Sequence, residues 1–260
     1  MKNLIRYELR RWSRYVPYYI VLGLTLLFFI FIHLITAIVL WDVDREAIRQ
    51  TSAFNILGVS SQILVAFYLS LFIALFVTED FKGPRKNVVS RGYSKTKVYF
   101  ANYLVTMGVA VLTSFGITIF TYLFAATLGY GFHIDGRDLP PFFWACLGQF
   151  VYWQVVYFGA TLTNKRSMGI ALGILLPILL LSFLYTLESA YAQIYANAYG
   201  EYPPSLFPHP SIFSFSIYFN NEDFENVPSF VLPLFRVLLA VLYTAFPCGL
   251  GFLIQRKRDV

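Results

Sequence analysis

Few residues in this chain could make or break bonds, and they stand apart. The three histidines are His33, His133 and His209, and the two cysteines are Cys146 and Cys248. No H-E-x-x-H sets two histidines on one helix face to hold zinc. Both cysteines fall inside apolar runs, where a free thiol behaves as a small buried hydrophobe. No G-x-S-x-G elbow presents a nucleophile. No G-x-x-x-x-G-K-S/T loop could cradle nucleotide phosphates, so the chain is expected to bind no ATP, magnesium or metal of its own. An enzyme reading, such as a lipid-modifying activity, would rest on His209 and Glu201, both outside the apolar runs.

The remaining chemistry is charge. Residues 78–97, TEDFKGPRKNVVSRGYSKTK, hold six Lys and Arg in a chain of which 13% is charged. The elements on either side explain the location. Apolar residues are 58% of the 260, aromatics 19%, and mean hydropathy is +0.62, more grease than a soluble globule of this size can bury. The apolar residues come in runs that match a bilayer core, which takes roughly 20 residues of helix. Six are expected to span, at 18–40, 54–78, 98–128, 141–163, 168–187 and 230–254. The third is longer than one crossing needs, and should tilt or project. Residues 1–17 precede this six-span domain as a separate element.

Basic residues set the direction. Sixteen Lys and Arg lie in the N-terminus, the 79–97 loop, the 164–167 turn and the tail, against three (Arg45, Arg49 and Arg137) in the alternate loops. That asymmetry places both termini in the cytoplasm. It also makes nucleic acid a poor partner, because the cations flank spans rather than form a soluble face. Residues 188–229 carry no Lys or Arg, and are too long for a bare connection. Tyr191, Tyr195 and Tyr199 recur there at helical spacing, and 210–219 is apolar but too short to cross. One or two short helices dipping into the outer leaflet are expected.

Within residues 1–17, Lys2, Arg6, Arg10 and Arg14 repeat every four residues, beside a second stripe of Ile5, Leu9, Trp12 and Val16. The pattern fits an interfacial helix with Trp12 at the headgroup boundary, serving as a topological anchor or as a lever on the first span. Pro17 suits the bend into that span. In the 79–97 loop, Pro84 suits the first turn of a helix over 84–91, Gly92 the position past its end, and Ser94 the cap of the third span. Ionisable residues inside spans are functional suspects, and His33 and Arg236 are the main cases. The alternatives are an interhelical hydrogen bond for His33 and snorkelling for Arg236.

Taken in order, these features resemble a permease of the ATP-binding-cassette superfamily, in its second exporter class, of the compact form whose ATPase is a separate polypeptide. The similarity runs over essentially the whole chain: the LIRYELRRW start, six spans, the loop TEDFKGPRKNVVSRGYSKTKVY, and a long outer segment between spans five and six. Pro84 stands where the family commonly has Thr. The resemblance implies an all-α membrane protein in which the helix over 84–91 is a coupling helix seated in the ATPase. Pro84 would start it, Arg85, Lys86 and Arg91 would meet acidic groups, and Val88 and Val89 would fill the groove. ATP and magnesium would be held by that partner subunit. A second permease copy would complete a homodimer around a path that His33, Arg236, Phe213 and Phe215 could line or gate. Gly169 and Gly173 would permit close helix approach, in the dimer or within one subunit. The implied location is the plasma membrane of a bacterial cell. The aromatic wall suits amphipathic cargo, with a peptide such as a toxin or antimicrobial first, then drug or lipid. An ion-coupled carrier or channel is the remaining alternative.

Overall fold

Long apolar runs can satisfy their own backbone polar groups away from water only as helices or closed barrels, and this chain takes the first route. The computed structural model describes residues 1–43, 59–79, 84–129, 139–163, 165–199 and 231–257. Among them are eight helices and no strand: α1 (Lys2–Ser13), α2 (Val16–Val43), α3 (Val59–Glu79), α4 (Pro84–Ser90), α5 (Lys95–Thr127), α6 (Leu139–Thr161), α7 (Arg166–Tyr199) and α8 (Val231–Lys257). Over the described residues the apolar runs match α2, α3, α5, α6 and α8 to within a few residues, while α7 extends well past its run. Residues 54–58, read as the start of the second run, lie outside the described residues.

Among the described residues, two helices are long and apolar enough on their own to cross a bilayer, Val16–Ile35 within α2 and Lys95–Thr127. Their most apolar windows are only 28% and 33% buried inside the protein, so most of that surface is left to face lipid or another chain. α5 shows this in detail: Leu104, Leu112, Phe115, Ile119 and Leu123 are all exposed, while Val98, Ala101, Val105, Ala110 and Ile117 are buried.

α7 differs from the sequence expectation. It runs unbroken to Tyr199, through Pro177, so the Tyr191–Tyr195–Tyr199 repeat extends the fifth span's helix instead of forming a separate short one. The helical spacing was correctly legible, but the fall in hydropathy after 187 suggested a break that the backbone does not make. Residues 200–230, where the dipping segment was expected, lie outside the described residues.

The core sits on α3 and α6. Ala66, Ile73, Ala74 and Phe76 of α3 and Val156 and Ala160 of α6 have no exposed surface, and Trp153 is 1% exposed. The Trp153 indole N–H donates to the Ala66 carbonyl at 3.2 Å, tying the two helices without leaving a buried donor unpaired. α7 lies against both, and glycine makes that approach possible. A Cβ at Gly169 would fall 2.6 Å from the Thr78 methyl, and one at Gly173 3.1 Å from the Ala74 Cβ. A Cβ at Gly159, on the facing side of α6, would fall 2.6 Å from the Leu172 carbonyl oxygen. These contacts are all within one chain, which answers for Gly169 and Gly173 the question their spacing left open.

The same contacts bring the basic segments to one end of the bundle. Gly169 at the start of α7 meets Thr78 near the end of α3, and Gly251 near the end of α8 meets Tyr99 of α5 and Thr161 of α6. The first turns of α5 receive α1. Gly159→Ala should therefore force α6 and α7 apart at a backbone oxygen, lowering stability by about 1–3 kcal/mol. Gly116→Ala, where nothing lies within 4 Å of the new carbon, should cause no loss. Thermal unfolding of the two variants in one detergent checks the contrast, and equal midpoints would refute it.

Candidate functional site

The α4 segment is built by local rules. Pro84 opens it, where a missing N–H costs nothing. Gly92 closes it with φ +89°, and its N–H donates to the Val89 carbonyl at 2.9 Å. Two residues on, the Ser94 hydroxyl accepts from the Lys97 N–H at 3.4 Å and caps α5. The helix ends at Ser90, one residue short of the sequence expectation, leaving Arg91 in the turn. Side chains 84–86, among them Arg85 and Lys86, lie outside the described residues.

α4 is docked and not suspended. Val88 is buried against Leu4 of α1 and Val98 and Ala101 of α5, with Ile5, Val89 and Tyr93 packed around them. Val88, expected to fill a groove on a partner, thus fills a pocket of its own chain, because a seven-residue helix has too little apolar surface to stay put without one. Asn87, Ser90 and Arg91 remain exposed on α4 and the turn after it.

α1 has three faces where the sequence suggested two. Lys2, Arg6, Arg10 and Arg14 are exposed, as the basic stripe requires. In the apolar stripe Leu9 and Val16 are also exposed, at 43% and 63%, consistent with a lipid-facing side. Trp12 is half-buried and meets the Tyr18 ring edge-on at 5.2 Å. The third face, overlooked in the sequence, consists of Leu4, Glu8, Arg11 and Tyr15, and it points into the protein. Its spacing is helical, but an acidic residue at its centre disguised it.

Glu8 is 2% exposed. Its carboxylate pairs with Arg11 at 3.1 Å and accepts from the Asn102 side-chain amide of α5 at 3.4 Å. Tyr157 of α6 donates to the Asn102 carbonyl oxygen at 2.9 Å. Arg11 in turn donates to the Phe76 backbone carbonyl at 3.1 Å and lies 4.1 Å above that ring. One network therefore links α1, α3, α5 and α6. Beside it, burial raises the pKa of the Tyr15 phenol, and the nearby Glu79 carboxylate raises it further against the pull of Arg166 and Arg11. The phenol stays neutral at physiological pH and adds no further negative charge to the carboxylates of Glu8 and Glu79.

Of the expected path residues, only His33 has a described side chain. His33 is buried and its Nδ1–H donates to the Phe29 carbonyl at 2.8 Å, a bond within its own helix, not between helices. Arg236 lies in α8, but its side chain is outside the described residues, as are Phe213 and Phe215. A polar seam does line α5, unannounced by any charged residue. Tyr103 donates to Gln154 at 2.7 Å, Ser114 to Gln149 at 3.0 Å, and Tyr18 and Thr113 share a bond of 2.8 Å. Alongside runs an apolar cleft of about 390 Å³ between α2 and α5, lined by Trp12, Leu22, Leu26, Leu112, Gly116 and Phe120 among others. No cluster of metal-binding side chains occurs among the described residues.

The described residues thus form an all-helical bundle with extensive exposed apolar surface and with α1 and α4 docked at the start of α5. The chain belongs to the ABC-2 family of transporter proteins, whose profile matches residues 4–189, from α1 through most of α7. It is thus the membrane-embedded permease component of an ABC transporter, and family membership implies an ATPase subunit as partner. No curated protein and no solved structure matches it.

Val88→Asp would put an unpaired carboxylate among Leu4, Val98 and Ala101 and should free α4, raising amide exchange across 84–90 about tenfold or more. Val89→Asp, at a half-buried position, should do much less. If both variants exchanged like the parent, the docking described here would be wrong.

Proposed function

We propose that this permease crosses the plasma membrane of a bacterial cell six times, through α2, α3, α5, α6, α7 and α8, with both termini in the cytoplasm. α4 serves as the coupling helix, and two copies of the chain enclose the path. ATP and magnesium bind to the separate ATPase, whose closure pushes on α4 and drives cargo outward.

The observation that carries this reading is the docking of α4 on α1 and the start of α5, at the end of the bundle where the basic segments converge. A short helix held on two sides transmits a push to both, whereas a free loop would dissipate it. The charge asymmetry then gives that end to the cytoplasm. On this reading Arg91, with Arg85 and Lys86, meets acidic groups on the ATPase. Val88 contributes from inside, by holding α4 in place. Pro84 and Val89 shape the helix and its flank.

The cleft between α2 and α5 and the exposed apolar faces of α2, α5 and α8 support an amphipathic or hydrophobic cargo, with an amphipathic peptide foremost. Such cargo gains from apolar burial and needs no fixed ion pair, and none is found along the cleft among the described residues.

The test joins two measurements on permease co-expressed with a candidate P-loop ATPase. In a background lacking Cys146 and Cys248, Asn87→Cys on the exposed side of α4 should cross-link to the ATPase. Leu112→Cys, 73% exposed on the lipid side, should not. Sealed vesicles should consume ATP and move a labelled amphipathic peptide only when both subunits are present. Uphill movement by the permease alone would overturn the assignment.

A further inference from the structure

Glu8 has no place in the reading just given, yet it is the most deeply buried charged side chain in the described residues. An interfacial helix that served only as an anchor would gain nothing from it. Taking a carboxylate out of water is expensive, and Arg11 offsets that cost only because further hydrogen bonds answer the remaining lone pairs. The groups involved come from different helices: Asn102 of α5 donates to the carboxylate, Tyr157 of α6 donates to Asn102, and the Phe76 carbonyl of α3 accepts from Arg11. A Leu at position 8 would pack this face at less electrostatic cost. It would not fix the direction in which α1 lies, because apolar contacts tolerate sliding while a charge held by Arg11 and Asn102 does not.

We infer that Glu8 is a positioning residue: through Arg11, Asn102 and Tyr157 it locks α1 to the basic ends of α3, α5 and α6, so that α4, resting on Leu4, pushes on one rigid unit. This deepens the coupling role proposed for α4 and rests on it for the source of the push, but the lock itself can be tested without any ATPase. The route has two stages. Val88 against Leu4 passes movement from α4 to α1 by contact. The Glu8 network then passes it to α6, which α4 does not touch through any described cluster. α6 in turn packs on α3, α7 and α8, so movement delivered at Tyr157 reaches the rest of the bundle.

The first measurement uses permease alone in lipid nanodiscs. Glu8→Ala should speed amide exchange in α1 about tenfold or more, because it removes the carboxylate that Arg11 and Asn102 both hold. Tyr157→Phe, which removes one hydroxyl and keeps the ring, should speed it less but measurably, and guards against a misfolded Glu8 variant. Arg6→Ala on the exposed face is the control and should change nothing. Glu8→Gln, which keeps an oxygen for Asn102, should recover part of the protection. Unchanged α1 exchange in Glu8→Ala and Tyr157→Phe would overturn the lock.

The second measurement adds the ATPase and reads a distance between labels at Asn87 on α4 and Phe143 on α6. ATP should shift that distance in the parent and not in Glu8→Ala, with hydrolysis by the assembled complex kept within about twofold, since α4 still contacts the ATPase. A full shift in Glu8→Ala would show that movement bypasses Glu8 and would overturn the proposal. If the parent recruits no ATPase, the coupling role of α4 fails, while exchange in the permease alone still decides the lock.

Discussion

A buried carboxylate at the foot of a membrane bundle is the constraint around which this end of the protein is arranged. Glu8 leaves water with Arg11 against its carboxylate, and Arg11 lies there with the Phe76 ring beneath its guanidinium. Asn102 must face α1, which fixes the rotation of α5, and Tyr157 must reach Asn102, which fixes the depth of α6. The apolar contact of Leu4 with Val88, Val98 and Ala101 lies one helical turn away on the same face of α1. Charge and packing therefore define a single docking surface, with polar groups giving direction and apolar groups giving area.

The far side of the core follows a different rule. α3, α6 and α7 meet through glycine and alanine, with backbone oxygen against would-be side-chain positions. In hydrocarbon no hydrophobic force draws helices together, so close van der Waals contact must substitute for it. Polar side chains add to this: Gln149, Gln154 and Trp153 all find partners on neighbouring helices. The α2–α5 side lacks that intimacy and carries the cleft. One half of the bundle is thus tightly packed and the other loosely.

Legibility in the sequence follows from how local each determinant is. Pro84, Gly92 and Ser94 declare α4 and the start of α5 because turn and cap chemistry depends on a few adjacent residues. The basic stripe of α1 was readable for the same reason: cations at every fourth position mark an exposed face. The third face was not, since Leu4 and Tyr15 flank a glutamate, and hydropathy sends a glutamate outward unless its partners are known. Its partner Asn102 lies 94 residues downstream, and Tyr157, which donates to Asn102, a further 55. Gly159 was equally silent, because a glycine's purpose in packing appears only once the facing backbone is present. The extent of α7 was misjudged where hydropathy fell but helical propensity did not. The burial of Val88 was hidden because nothing in VVS distinguishes a residue that serves its own chain from one that serves a neighbour.

The length of α5 has a mechanical corollary. At 33 residues and about 1.5 Å each it measures about 50 Å, while the hydrocarbon layer is about 30 Å. The surplus need not all be absorbed by slant, and its first two turns are where α1 and α4 are fastened. In the orientation proposed above, that stub works as a handle beyond a fulcrum at the bilayer surface. A nudge on the handle swings the whole rod, and the far tip travels in the opposite sense.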